Sequence, residues 1–156
     1  MLVVIKGIKH TLSIGGKSFI EWLSFTYFMA TKKGGLIGKS ASESSIKQAC
    51  FALSGIAKHD GDAEQVHLRV ADHNGGHYIF MGDDDLRVIE VLPTGWRITD
   101  NSPVKFWKPS SMLALPVPII GGNLDQLWDF INVPKEDRLL ALAWILESFR
   151  NEHKLI

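Results

Sequence analysis

Apolar residues follow two different periods along this chain. From about residue 17 to 60 they recur at helical spacing, from about 66 to 109 at every second position, and beyond about 123 at helical spacing again. A period near 3.6 turns one stripe of a helix toward a core, and a period of two turns one strand face there. Ahead of the first helical stretch, "MLVVIKGIKHTLSI" clusters β-branched residues and predicts a strand or hairpin that turns at Gly7. The segment "KSFIEWLSFTYFMATKK" then predicts a helix. Ser18 and Glu21 have capping-box spacing, Phe19, Trp22, Leu23 and Phe28 supply apolar surface, and Lys32, Lys33 and Gly34 form a stop signal. A second helix follows, with Ser40 and Glu43 at the same spacing and Ile46, Ala49, Cys50, Leu53 and Ala57 on one face.

In "VHLRVADH" the alternation places Val66, Leu68 and Val70 on one face and His67, Arg69, Ala71 and His73 on the other. Asn74 to Gly76 is a hairpin turn signal that returns the chain along "HYIFMG". Asp83 to Asp85 mark another turn, then "LRVIEVL", "PTG", "WRIT", "NSP" and "VKFWK" complete a meander of about five short strands. Pro103, Pro109, Pro116 and Pro118, with Gly121 and Gly122, mark an extended connection. Asn123 and Gln126 form a further capping pair opening "LDQLWDFI", whose Leu124, Leu127, Trp128 and Ile131 share a side. Pro134 suits a first helical turn before "KEDRLLALAWILESFRNE", with acids early and Arg150 late; "LLALAWIL" has the composition of a buried helix. The pattern predicts one α+β domain over 1–156, a mostly antiparallel sheet of about five strands flanked by two N-terminal and two C-terminal helices. Its parts are a helical region 16–62, a β meander 66–109 and C-terminal helices 123–152.

Composition narrows the function classes. At 46% hydrophobic and 22% charged residues the chain is globular, and 17 Lys and Arg balance 17 Asp and Glu. Whole-molecule attraction to nucleic acid or an anionic membrane is therefore excluded, although a local patch is not. The single cysteine, Cys50, excludes an internal disulfide and multi-cysteine zinc motifs and suits a reducing, cytoplasmic setting. The apolar N-terminus is short and precedes Lys6 and Lys9, the reverse of a secretory signal, and no apolar run approaches the roughly 20 residues of a membrane span.

Gly38-Lys39-Ser40 matches the close of a phosphate-binding loop, but that loop needs a glycine five residues before Gly38, where Lys33 stands. The copy at Gly16-Lys17-Ser18 has Thr11 at that place, so both triplets read as helix starts. "YIFMGDDD" resembles a magnesium-binding strand except that Gly82 interrupts it before Asp83. His67 and His73 share a predicted face about 20 Å apart, too far for one ion, while His73 and His77 flank the turn. The clusters "HDGD" and "GDDD" lack calcium-loop spacing and fit turn chemistry, and Cys50 lies on an apolar helix face, as a buried inert thiol does. No catalytic residue, cofactor or metal site is predicted.

The strand region is the stronger candidate for binding. Arg69, Arg87, Arg97, Lys105 and Lys108 are interleaved with Trp96, Phe106 and Trp107, a combination that can offer cations to phosphates and rings to bases. Arg69, Arg87, Arg97, Lys105, Trp107 and Lys108 are the predicted contacts to DNA or RNA. Asp72, Asp83 and Glu90 dilute that patch, and any half-buried antiparallel sheet alternates apolar with charged residues.

"HLRVADHNG", "YIFMGDDD", "GWRI", "PVKF", "MLALPVPIIGG" and "LLALAWILESFR" together resemble a known region. It is the stretch just upstream of the ATPase core in ATP-binding, primase/helicase-like proteins of phages and integrated mobile elements. The likeness covers roughly Lys17 to Arg150, with Lys17 to Gly61 matching the family's leading helices and short "DG" turn. In that family a strand and a full phosphate-binding loop normally follow the last helix, whereas this sequence stops at "EHKLI", so no catalytic residue carries over. The resemblance implies a non-catalytic accessory domain of a replication-type ATPase that engages nucleic acid or a partner protein, either excised from a longer chain or standing alone. It also implies a downstream ATPase domain as a partner of the C-terminal helix. The alternatives are a fragment of a nucleotide-binding ATPase and a structural or oligomerisation module.

Overall fold

Two-residue turns set the register of three of the four antiparallel pairs, and the seven residues 81–87 join the other. In the computed structural model, which describes residues 1–32 and 37–149, Lys6 and Gly7 both have positive φ, as do Asn74 and Gly75. Positive φ at both central positions is the turn whose twist matches paired strands. The first turn joins β1 (Leu2–Ile5) to β2 (Ile8–Thr11), pairing Ile5 with Ile8. The second joins β4 (Val70–His73) to β5 (Gly76–Phe80), pairing His73 with Gly76.

The chain divides into two compact units, Met1–Gln65 and Val66–Ile156. The first unit holds the β1–β2 hairpin and the helices α1 (Lys17–Thr31) and α2 (Glu43–His59). Phe19 is buried, and Trp22, Leu23 and Phe28 are half-buried, so the expected apolar stripe of α1 faces inward. The predicted caps shift. Gly16 caps α1 without a side-chain hydrogen bond, and Ser18 lies inside the helix. Ser42, not Ser40, caps α2, its Oγ accepting from the Ser45 amide at 3.2 Å. In the described part of "GGLIGKS" the Lys39 amide donates to Thr31 Oγ1 at 2.8 Å. A Cβ at Gly38 would lie 2.6 Å from the Phe28 ring, so glycine there serves close packing. Lys33, Gly34 and Arg150, expected in helix stops, lie outside the described residues. Cys50 is half-buried rather than buried, in company with Ile46, Ala49 and Leu53, while Ala57 is exposed.

The cap assignment has a direct check. Ser42→Ala is expected to lower stability by about 1 kcal/mol and Ser40→Ala by less than about 0.5 kcal/mol, read from urea midpoints followed by helical circular dichroism. Equal losses would move the cap back toward Ser40.

The second unit is built on a four-stranded antiparallel sheet, β4-β5-β6-β7, with β6 at Val88–Leu92 and β7 at Gly95–Thr99. The chain is therefore α+β, but the meander has four strands, not five. "VHLRVADH" breaks at Leu68 and Arg69 into β3 (Val66–His67) and β4, and "VKFWK" forms β8 (Lys105–Phe106). Strand β8 pairs with β3 in parallel, Val66 beside Lys105 and His67 beside Phe106, as a two-stranded sheet separate from the meander. The break inverts the predicted faces: Ala71 is fully buried while Val66 and Leu68 are exposed.

One sheet face carries the core. Ala71, Tyr78, Phe80 and Val88 are buried together, and Leu86, Val104, Phe106 and Met112 pack on them. Phe80 and Phe106 stack with ring centres 5.1 Å apart and planes 6° from parallel. The predicted pair of C-terminal helices is a short 3-10 helix, Leu124–Asp129, and α3 (Arg138–Glu147), entered through a 3-10 turn at Lys135–Asp137. Asn123 caps the first as expected, its Oδ1 accepting from the Asp125 amide at 2.9 Å. Pro134 precedes the 3-10 turn at the cap position. Contrary to its expected burial, α3 has no buried residue.

Candidate interaction surface

The strand register brings Tyr78, Glu90 and Arg97 side by side across β5, β6 and β7. Glu90, only 6% exposed, accepts from the Tyr78 hydroxyl at 3.2 Å through Oε1 and is paired through Oε2 with Arg97 Nε. A buried carboxylate is costly to leave unpaired, so the Arg97 charge is committed to Glu90 even though its side chain is largely exposed. Of the five predicted cationic contacts, Arg97 is the one lying within the four-stranded sheet.

The others sit around the sheet rather than on successive strands. Arg69, between β3 and β4, donates from Nη1 to the carbonyls of Phe80 (3.0 Å) and Met81 (3.2 Å) and from Nη2 to Leu113 (3.0 Å). Arg87, just before β6, is held by Asp83: Oδ2 lies 2.6 Å from its Nε, and Oδ1 accepts its amide at 2.9 Å. That hydrogen bond first, and the Asp83 charge second, raise the Arg87 guanidinium above its ordinary value. Lys108, beyond β8, donates to the Asp83 carbonyl at 3.0 Å and to Asp84 at 3.1 Å. Lys105 in β8 is half-buried, and the Trp107 amide donates to the His67 carbonyl at 2.9 Å while its ring stays partly exposed. The Asp83–Arg87 turn is thus tied to the β8 segment by the charges expected to meet phosphate.

His73 and His77, which flank the turn, each have a different side-chain partner. His77 Nδ1 is paired with Asp72 across β4 and β5, and His73 Nε2 lies 3.1 Å from Asn74 Nδ2. Among the described residues no three His, Cys, Asp or Glu side chains are grouped to hold a metal ion.

Tyr78 gives the cluster a pH signature. Burial pushes its phenol up from the ordinary value, the Glu90 hydrogen bond and charge push the same way, and Arg97 opposes them. The folded chain therefore holds this proton more tightly than the unfolded one. Its contribution to stability is whole below about pH 10 and is lost as pH rises through the raised value. Stability is expected to fall in alkali above about pH 10, and to fall less in Tyr78→Phe, as read by denaturant titrations at each pH. An unchanged alkaline limb in that variant would contradict the assignment.

Among the described residues, α3 carries a run of exposed apolar side chains on one helix. Pro134 opens the preceding turn, and Arg138 stacks over Trp128 with its guanidinium carbon 4.7 Å from the ring centre. Ala141, Leu142 and Ile145 are half-buried on one side of the helix. On the other side Leu139 (77%), Leu140 (69%), Trp144 (74%) and Leu146 (69%) are exposed, with Ala143 among them. From 139 to 149 the one ionisable side chain is Glu147. A helix apolar all round is ordinarily buried on every side, and an exposed apolar patch of this kind marks a contact surface. Sequence composition signalled the apolar helix but not which side faces outward.

Comparison of the chain with family models, with curated proteins and with solved structures finds no match. Among the described residues no helix is long and apolar enough to cross a membrane.

Proposed function

We propose that this chain is a non-catalytic accessory module that docks onto protein through the outward face of α3. The setting is the reducing, cytoplasmic one that a single cysteine suits, beside the replication-type ATPase of a phage or mobile element that its resemblance implies. The observation that carries the reading is the exposure of Leu139, Leu140, Trp144 and Leu146 on one helix. Covering such side chains contributes about 1.5–3 kcal/mol each, enough in sum to offset much of the roughly 4–15 kcal/mol cost of association. A second support is negative. Arg69, Arg87, Arg97 and Lys108 already have acceptors within the fold, so offering them to phosphate would break internal bonds.

Nucleic-acid contact through Lys105, Trp107 and the partly exposed Trp96 is the rival reading. Anisotropy of labelled single- and double-stranded DNA separates the two. The docking reading expects no binding at low salt. Salt-dependent binding that Trp107→Ala or Arg97→Ala abolishes would overturn it in favour of the sheet.

A further inference from the structure

We infer that the occupant of the α3 face is a second copy of this chain, the two helices packing antiparallel about a two-fold axis near Ala143; this rests on the docking reading above. Three features carry it. The first is area. Leu139, Leu140, Trp144 and Leu146 are each about 70% exposed or more. Together they offer roughly 600 Å² of apolar surface, approaching the about 800 Å² per partner of a standard specific interface.

The second is charge. The face carries Glu147 as its one ionisable group between 139 and 149, and 17 basic residues balance 17 acidic ones over the whole chain. A strongly charged partner finds no complementary sign on this face, whereas two identical neutral chains approach without the repulsion that keeps charged proteins apart.

The third is the arrangement along the helix. α3 runs from Arg138 to Glu147, so an axis near Ala143 gives the longest overlap between two copies. A small residue at the axis lets the helices approach to about 8–10 Å. In this register Leu140 of one copy meets Leu146 of the other, and Leu139 and Trp144 flank the crossing. Antiparallel packing also opposes the two helix dipoles. Because the contact is isologous, it closes at two copies and covers this face on both.

The test is sedimentation velocity of the full chain from about 1 to about 200 µM, with anilinonaphthalene sulfonate fluorescence on the same samples. The parent is compared with Leu140→Glu/Trp144→Glu and with the uncharged pair Leu140→Gln/Trp144→Gln. The proposal expects the parent to move toward twice the mass of one chain as concentration rises, and both variants to stay monomeric with unchanged circular dichroism. A parent that is monomeric throughout, yet gives dye fluorescence that the variants lose, overturns the second copy as occupant and leaves the face open to a different protein. A monomeric parent with no α3-dependent dye signal overturns the docking reading as well. A dimer that both variants retain assigns the contact to another surface and overturns the proposal.

Discussion

Replacing Phe80 with alanine lowers stability by about 3–5 kcal/mol. Phe80 is 2% exposed at the end of β5, and its ring stacks on Phe106 of β8 at 5.1 Å. The substitution removes the transfer energy of the ring and also leaves a cavity, because the neighbours that would have to close it are fixed. Tyr78 and Val88 are held by the strand register on either side, and Phe106 is held by the pairing of β8 with β3. Phe130→Ala is the contrast: that ring is 85% exposed, and its loss is expected to cost less than about 0.5 kcal/mol. Urea unfolding followed by near-ultraviolet circular dichroism measures both. A Phe80→Ala cost below about 1 kcal/mol would mean that the Phe80–Phe106 stack is not the centre of this core.

Replacing Arg69 with alanine is the second large effect, a loss of about 2–3 kcal/mol without any effect on a nucleic-acid readout. The guanidinium spans the carbonyls of Phe80, Met81 and Leu113. Met81 also accepts the Leu115 amide at 2.8 Å and donates its own amide to Arg87 at 3.0 Å. Arg69 therefore ties the end of β5 to the segment around Leu113 and Leu115, where no strand pairing does so. Arg69→Lys is expected to restore little, since an ammonium on a flexible stem does not reproduce a planar fork across three acceptors. Faster hydrogen exchange at the Leu115 amide should accompany the loss. An Arg69→Ala chain as stable as the parent would contradict the clamp, and one that is stable but loses DNA binding would restore Arg69 as a phosphate contact.

Local chemistry was the legible part of this fold. Asn74-Gly75 and the turn at Gly7 act through backbone angles that a few residue types accept, so the hairpins follow from sequence. Asp83 to Asp85 marked a turn because a short carboxylate can accept a nearby amide, as Asp83 accepts Arg87. The apolar stripe of α1 and most of that of α2 were visible through their period.

What escaped depends on partners distant in sequence. The parallel pairing of β3 with β8 joins residues 66–67 to 105–106 over two positions each, too short to leave a period. It nevertheless interrupts the alternation at Leu68 and Arg69 and exchanges the faces of the first long strand. Capping spacing fitted both Ser40 and Ser18, but a box forms only if the helix starts there. The starts at Lys17 and Glu43 leave Gly16 and Ser42 at the caps. The fate of the cations was partly within reach. A two-residue turn at Pro93 and Thr94 sets Glu90 opposite Arg97, and register alone then pairs them. Arg69 has no such rule, because its acceptors are backbone carbonyls on three different residues. For α3 the sequence shows apolar residues at every angle, a pattern that fits a helix closing its own core and a helix meeting another protein equally well.

Hydroxyl-radical footprinting of the full chain, read residue by residue by mass spectrometry, tests the division of labour between sheet and helix most directly. It is run dilute, concentrated, and dilute with DNA. The account predicts strong labelling of Leu139, Leu140 and Trp144 at dilution and their protection at high concentration, with Trp96 and Trp107 labelled alike in all three samples. Protection of Trp96 and Trp107 by DNA, with α3 labelled equally throughout, would contradict it.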